Sequence, residues 1–230
     1  MSGVNLNDRL GTTMTGTISG GGGLTYTGPG RLTLTANNTY AGATAVNAGT
    51  LIVDGNNSLA TGAMTVATGA ALGGSGTIGG DLTLNNGARF AFAPGNTLTL
   101  LGSSTFALAS SFGVASLWDL SGAALDWDTI NTGTYTLLTG GNLGSNFFST
   151  SNISNFGIGN AAANLGTGGT KSAYFQNGSL QLVVVPEPSA VALLGCAAAC
   201  GGLWLRRRAR REIGDGSSPV RHEICARQSR

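Results

Sequence analysis

The clearest pattern in the chain is a short-range alternation of apolar and polar residues between residues 24 and 108. Segments such as RLTLT, LTLNNG and RFAFAPG alternate with period two and then end at Gly or Asn. Such alternation is typical of half-buried strands, and Gly and Asn favour tight turns. The pattern therefore predicts many short strands joined by tight turns. The side chains expected to point inward are Leu32, Leu34, Leu82, Leu84, Phe90, Phe92, Leu98 and Leu100, and those expected to point outward are Thr33, Thr35, Thr83, Thr97 and Thr99.

Internal repetition separates the two all-β architectures that short strands allow, a sandwich or barrel and a solenoid. The unit at residues 30–53 returns in the weaker echoes MTVATGAAL and LTLNNGARFAF, with a period of about 20 residues. Each coil of a solenoid buries its inner face only by stacking on the next coil. Residues 24–108 are therefore expected to form roughly four coils of a parallel β-helix.

Residues 21–55, GGGLTYTGPGRLTLTANNTYAGATAVNAGTLIVDG, resemble the autotransporter-associated β-strand repeat. The family's order of Gly, Leu-Thr, Asn, Tyr and Val positions is nearly intact there, and the stretch APGNTLTL resembles short coils of the same proteins. The resemblance implies an all-β fold built on a right-handed parallel β-helix, as in exported passenger domains. Residues 1–23 are then a linker or first strand, residues 24–108 the solenoid, and residues 109–185 a β-rich continuation or cap.

The composition excludes most kinds of catalytic site from residues 1–185, which we call the body. Glycine provides 39 of the 230 residues and charged residues only 10%, against about 7% and 25% in typical proteins. No cysteine precedes Cys196, and His222 is the only histidine. A disulfide framework, a Cys/His metal site and a His-activated nucleophile are therefore excluded from the body. We expect no enzyme activity, no cofactor and no bound metal, and nothing in the body indicates nucleic-acid binding.

Weaker candidates for chemistry remain. Asp126 and Asp128 would place two carboxylates on one face of a strand, suited to acid–base chemistry or Ca²⁺, or would form a solvated edge or turn. Aromatic residues concentrate between residues 118 and 156, as a bulkier core or a sugar-binding platform would need. A polysaccharide lyase or hydrolase on a β-helix would require a groove that joins four charged residues: Arg31, Asp54, Asp81 and Arg89.

Three function classes stay open for the body. The first is a non-enzymatic structural protein of the cell surface or extracellular matrix. The second is an adhesin or glycan-binding β-helix, for which a surface polysaccharide would be the partner. The third and least expected is a polysaccharide lyase or hydrolase. The fold by itself does not separate them, because function depends on the sites that a fold carries.

The C-terminal segment differs from the body in charge and in hydropathy. Residues 1–188 have a net charge of −3, and residues 189–230 have a net charge of +5. Residues 190–205 are uncharged and would span about 24 Å as a helix, somewhat less than a hydrocarbon core of about 30 Å. We predict a single C-terminal transmembrane helix here, with a basic cluster that stays cytoplasmic by the positive-inside rule: Arg206, Arg207, Arg208, Arg210 and Arg211.

The order of motif, span and basic cluster resembles the PEP-CTERM sorting signal of Gram-negative bacteria. The motif consists of Pro186, Glu187 and Pro188. On that resemblance an exosortase would recognise it while residues 190–205 hold the protein in the inner membrane, and the processed body would reach the cell surface or matrix. The polar tail at 212–230 extends beyond the usual end of such signals. Because the N-terminus lacks the pattern of a signal peptide, we expect one upstream of the given start.

Overall fold

The computed structural model describes residues 3–7, 9, 11–109, 112–142, 161–176 and 180–187. The chain divides into two compact units, Met1–Glu187 and Pro188–Arg230. Among the described residues, no helix has the length and apolar character needed to cross a bilayer. The predicted span at 190–205 lies outside the described residues, as do Pro188 and the arginine cluster.

All but one of the described strands have two to six residues, as the pattern of alternation predicts. In chain order they are β1 (Val4–Leu6), β2 (Thr12–Met14), β3 (Leu24–Tyr26), β4 (Arg31–Leu34), β5 (Thr44–Val46), β6 (Thr50–Val53), β7 (Asn56–Asn57), β8 (Met64–Val66), β9 (Ala71–Gly73), β10 (Thr77–Ile78), β11 (Leu82–Leu84), β12 (Arg89–Ala91), β13 (Leu98–Leu108), β14 (Leu117–Trp118), β15 (Gly133–Thr136), β16 (Leu138–Asn142), β17 (Ala161–Leu165), β18 (Lys171–Phe175) and β19 (Gln181–Pro186). A 3₁₀ turn at Val114–Ser116 is the only helix in the described part of the chain.

Strands β1 to β14 and β16 build three parallel sheets within the described residues. The first sheet has the order β1-β3-β5-β8-β11 and ends on the last part of β13. The second has the order β2-β4-β6-β9-β12-β14. The third has β7, β10, the first part of β13 and β16. The chain visits the sheets in turn and returns to the first one a full coil later.

The register shows that these sheets are the faces of one solenoid. Leu24 pairs with Thr44, Thr44 with Met64, and Met64 with Leu82, always in parallel. The six strands of the first sheet in the described chain therefore mark five turns, and the first turn begins upstream of the repeat, at β1. The predicted β-solenoid with almost no helix is confirmed for the described residues. That the solenoid is right-handed stays a prediction.

The core runs through the inside of the coils. Every side chain that the alternation predicts to point inward is buried, from Leu32 at 0% exposure to Phe92 at 2%. Thr33, expected on the solvent face, is only 9% exposed. It lies beside Ile52, which is buried in a second apolar cluster on the outer face of the second sheet, together with Ala71, Ala91 and the partly buried Leu120.

An antiparallel sheet in the order β15-β19-β18-β17 follows the coils. Its inner side chains join the solenoid core, because Phe175 and Leu182 belong to the same buried cluster as Leu24. Aromatic contacts connect the two parts: the ring centroids of Phe112 and Phe175 are 5.7 Å apart. The antiparallel sheet, which we call the cap sheet, thus extends the core beyond the last coils.

A buried pair of asparagines supports one corner of the coils. The Asn38 side-chain oxygen accepts a hydrogen bond from the Ile18 N–H at 2.8 Å, and the Asn38 side-chain amide donates to Asn57 Oδ1 at 2.8 Å. The Asn38 backbone N–H also donates to Asn57 Oδ1, at 3.2 Å. In the next coil Ile78 pairs with Asn57 and offers no side-chain acceptor, and Asn57 Nδ2 is buried without a partner among the described residues. The ladder therefore ends after two rungs.

We expect Asn38→Ala to destabilise the solenoid by about 1–3 kcal/mol, because it removes the acceptor of the buried Ile18 N–H and one of the two donors to the Asn57 amide oxygen. Thermal or urea unfolding of the full-length chain measures the effect. Asn37→Ala is the matched control, since Asn37 is exposed and its oxygen accepts one bond from the Asn56 N–H. Equal losses in the two variants would show that the buried ladder adds nothing to stability.

Candidate ligand-binding site and sequence-predicted residues

The part of the sorting motif that the structure describes is joined to the cap sheet. Pro186 ends β19 opposite Lys171, and the Glu187 N–H donates to the Thr170 carbonyl at 2.8 Å. The half-buried Glu187 carboxylate accepts hydrogen bonds from the Ser172 hydroxyl and, at 3.1 Å, from the Asn164 N–H. The bond from Ser172 first, and that from Asn164 second, lower the pKa of Glu187. The extended segment expected at Pro186 and Glu187 is thus held by side-chain contacts that the sequence pattern does not indicate.

Asp126 and Asp128 lie in a turn, so the prediction that they share one face of a strand is wrong. Asp126 accepts a bond from the Asp128 N–H at 3.0 Å, which makes a local turn. Asp128 accepts bonds from the Thr167 hydroxyl and, at 2.7 Å, from the Thr167 N–H. Lys171 Nζ donates to three carbonyl oxygens of the same turn, those of Trp127, Asp128 and Ile130. Both carboxylates therefore stabilise turns, which is the second interpretation that the sequence left open for this pair.

The four charged residues that a lyase or hydrolase would need in one groove are not brought together. Arg31 and Arg89 lie in one outer row of the second sheet with Thr50 and Ala71 between them, about 14 Å apart at the usual strand spacing. The two acids bind backbone N–H groups elsewhere: Asp54 that of Ser75 at 3.1 Å, and Asp81 that of Thr105 at 2.6 Å.

Arg89 is the member of that set that lines a cavity. The cavity has a volume of about 360 Å³ and opens on the outer face of the second sheet, where the loop after β14 crosses the strands. It is lined by Pro29, Asn47, Ala48, Gly49, Thr50, Thr68, Gly69, Ala71, Arg89, Trp118, Ser121 and Gly122. Clefts that bind small molecules have volumes of about 300–1,000 Å³, so this one is large enough for a small ligand.

The Arg89 guanidinium is held in a fixed place at the cavity wall. Its central carbon lies 3.6 Å from the centroid of the Trp118 ring, a cation–π contact. Nη1 donates to the Gly69 carbonyl oxygen at 3.2 Å. The sequence predicts Trp118 in a core or in a sugar-binding platform, whereas it lies on the outer row of β14, next to Ala91 of β12. Leu117 is buried, and successive side chains of a strand point to opposite faces. The alternation is therefore the signal that could have predicted Trp118 on the outer face.

Asp119 shapes the loop that closes the other side of the cavity. Its Oδ1 accepts hydrogen bonds from the Ser121 N–H at 2.8 Å, the Ser121 hydroxyl at 2.6 Å and the Ala123 N–H at 2.9 Å. Burial raises the pKa of Asp119, but the hydrogen bonds from Ser121, Ala123 and Gly122 together outweigh it, so that the pKa is lowered. Leu120 packs into the outer apolar cluster. The loop is therefore fixed against the sheet at both its polar and its apolar residues.

Comparison with known proteins identifies the repeat. Residues 24–53, from β3 to β6, match the passenger-associated-transport-repeat family, so the predicted autotransporter-associated repeat is confirmed. Over 98 residues the chain is 46% identical to the adhesin BmaC autotransporter of Brucella suis, which covers 40% of this chain and 3% of that protein. Over 100 residues it is 42% identical to an extracellular serine protease of Serratia marcescens, which covers 42% of this chain and 9% of that protein.

The matched segments are thus small parts of these two relatives, so the likeness does not extend to a whole protein. No solved structure matches the chain significantly.

We expect the stability of the cap sheet to depend on the ionised Asp128 carboxylate. The hydroxyl of Thr167 first, then its N–H and the charge of Lys171, lower the pKa of Asp128. A lowered folded-state pKa gives stability that is present above the ordinary carboxyl pKa of about 4 and is lost as the pH falls through the folded-state value. Asp128→Asn should therefore lower the unfolding temperature at neutral pH by a few degrees and flatten its decrease on acidification.

Circular dichroism during thermal unfolding, from neutral pH to below about pH 4, measures this effect. Asp126→Asn is the control, because an asparagine still offers an oxygen to the Asp128 N–H and should retain most of the wild-type dependence. An Asp128→Asn variant with the same acid profile as the wild type would contradict the assignment.

Proposed function

We propose that the chain is an exported, non-enzymatic protein of the cell surface or extracellular matrix whose β-solenoid acts as an adhesin. The main support is that a passenger-type repeat forms coils of a solenoid and that over 98 residues the chain is 46% identical to part of an adhesin. A solenoid suits this role because each coil adds exposed surface without needing a larger core. A purely structural matrix role is the second candidate, supported by the same fold.

A catalytic role has less support, although one relative is named as a serine protease. A serine nucleophile needs a base within hydrogen-bond reach, and residues 1–187 contain no histidine, since His222 is the only one of the chain. Asp126 and Asp128, the paired carboxylates of the body, are engaged by turns. We therefore assign the body to binding and not to turnover.

We further propose that the C-terminal segment is a PEP-CTERM sorting signal. Its support is the order of Pro186-Glu187-Pro188, the uncharged residues 190–205 and the basic cluster from Arg206 to Arg211. An exosortase would recognise the motif, and the apolar run would hold the chain in the inner membrane until processing. Because Glu187 is bonded to Ser172 and Asn164, recognition requires that its side chain leave the cap sheet or that processing precede its docking.

The adhesive role is tested by producing the full chain behind an added signal peptide in a Gram-negative host. We expect antibody to label the body on intact cells, and we expect these cells to attach to polysaccharide-coated surfaces more than cells that carry the chain without the added signal. A body exposed at the surface with no gain in attachment would contradict the adhesin and favour the structural matrix role.

The sorting signal is tested by mass spectrometry of the mature protein in a host that has an exosortase. The expected C-terminus lies near residue 188, and Glu187→Ala should leave the full chain in the inner membrane. Ser172→Ala is the matched control, because it removes the hydrogen bond to Glu187 but keeps the motif, and it should be processed at least as well as the wild type. A surface protein that still ends at Arg230 would refute processing by an exosortase.

A further inference from the structure

We propose that the cavity beside Arg89 and Trp118 is a binding site for an acidic saccharide, with the Arg89 guanidinium on the carboxylate or sulfate group of one sugar unit. This inference names the ligand class of the adhesin proposed above and rests on that proposal for its biological meaning. The site itself is defined by the geometry of the second sheet, so that it can be tested on the purified chain.

The positive charge on the cavity wall favours an anionic ligand. Arg89 is the only charged residue among the described residues that line it. The nearby Asp119 does not line the cavity, and its Oδ1 accepts hydrogen bonds from its own loop. A guanidinium presents its N–H groups in a planar fork that fits carboxylates and sulfates. An anionic ligand therefore meets one arginine and no carboxylate among the described residues that line the cavity.

The Arg89 guanidinium is also preorganised for binding. The Trp118 ring on one side and the Gly69 carbonyl at one nitrogen restrict the guanidinium, while only one of its five N–H donors is used by that hydrogen bond. The loop that follows Trp118 and forms part of the cavity wall is fixed by Asp119 and by Leu120. Less conformational entropy is lost on binding when the binding groups are already held in place.

A second observation points to a hydroxyl-rich ligand. Thr50 lines the cavity and is only 4% exposed, and no described residue hydrogen-bonds its hydroxyl. A hydroxyl at the cavity wall both donates and accepts, so it can bond a sugar hydroxyl that enters the cavity. Thr68 and Ser121 add two more hydroxyl groups to the wall. One fixed cation beside several hydroxyls matches a sugar unit that carries one acidic group.

The test titrates the full-length chain, purified in mild detergent, with a short oligogalacturonate by calorimetry. We expect saturable binding that Arg89→Gln weakens about tenfold to a hundredfold, as the loss of a charged hydrogen-bonded pair implies. Arg31→Gln is the matched control, because Arg31 lies in the same outer row but does not line the cavity. It should bind as the wild type does.

Two further variants examine the site independently of the charge. Thr50→Val keeps the shape of the buried side chain and should also weaken binding, which keeps the test valid if Arg89→Gln fails to fold. A change in tryptophan fluorescence on binding should be present in the wild type and lost in Trp118→Phe.

Three results would overturn the proposal. The first is equal affinity of the wild type and Arg89→Gln for the oligogalacturonate. The second is equal affinity of the wild type for the methyl-esterified, neutral oligomer. The third is equal affinity for inorganic sulfate, which would show an adventitious ion only. None of these results depends on export or on attachment of cells, so the binding site and the surface function proposed above can fail separately.

Discussion

The fold depends on backbone hydrogen bonds between strands that are one coil apart. These bonds form only if every coil returns to the same register, as Leu24, Thr44, Met64 and Leu82 do along the first sheet. Such close stacking leaves no room for a side chain at one corner, where a Cβ atom on Gly62 would overlap the carbonyl oxygen of Gly42, and one on Gly80 the carbonyl oxygen of Gly62. Glycine therefore recurs at this corner in three successive coils, at Gly42, Gly62 and Gly80.

The sequence predicts this part of the structure well because its determinants are local and repeated. The alternation that sends Leu32 and Leu34 inward is visible within a few residues, and one coil confirms the next. Repetition also explains why the structure starts earlier than expected. β1 and β2 carry little of the motif, yet they pair with β3 and β4, since an exposed parallel edge accepts any short extended segment that reaches it in register.

The sequence predicts the candidate site poorly, because its contacts join segments that are distant in the chain. Arg89, Gly69 and Trp118 meet only after three different coils have stacked, and no short-range pattern indicates this meeting. Asp128 shows the same limit, since its partner Thr167 lies 39 residues away. A pair of acids at spacing two predicts a shared strand face only where the segment is a strand, and here a turn intervenes.

Because of these constraints, the inner and the outer face of a coil have different roles. The inner face must supply large apolar side chains in every turn, so a substitution there changes stability before it changes anything else. The outer face contributes little to the core, and residues there can vary from coil to coil without disturbing the stacking. Arg31, Thr50, Ala71 and Arg89 occupy one such row, in which size and charge range from alanine to arginine. A binding site can therefore be placed on the outer row by a few substitutions together with one loop, here the one that Asp119 and Leu120 hold against the sheet.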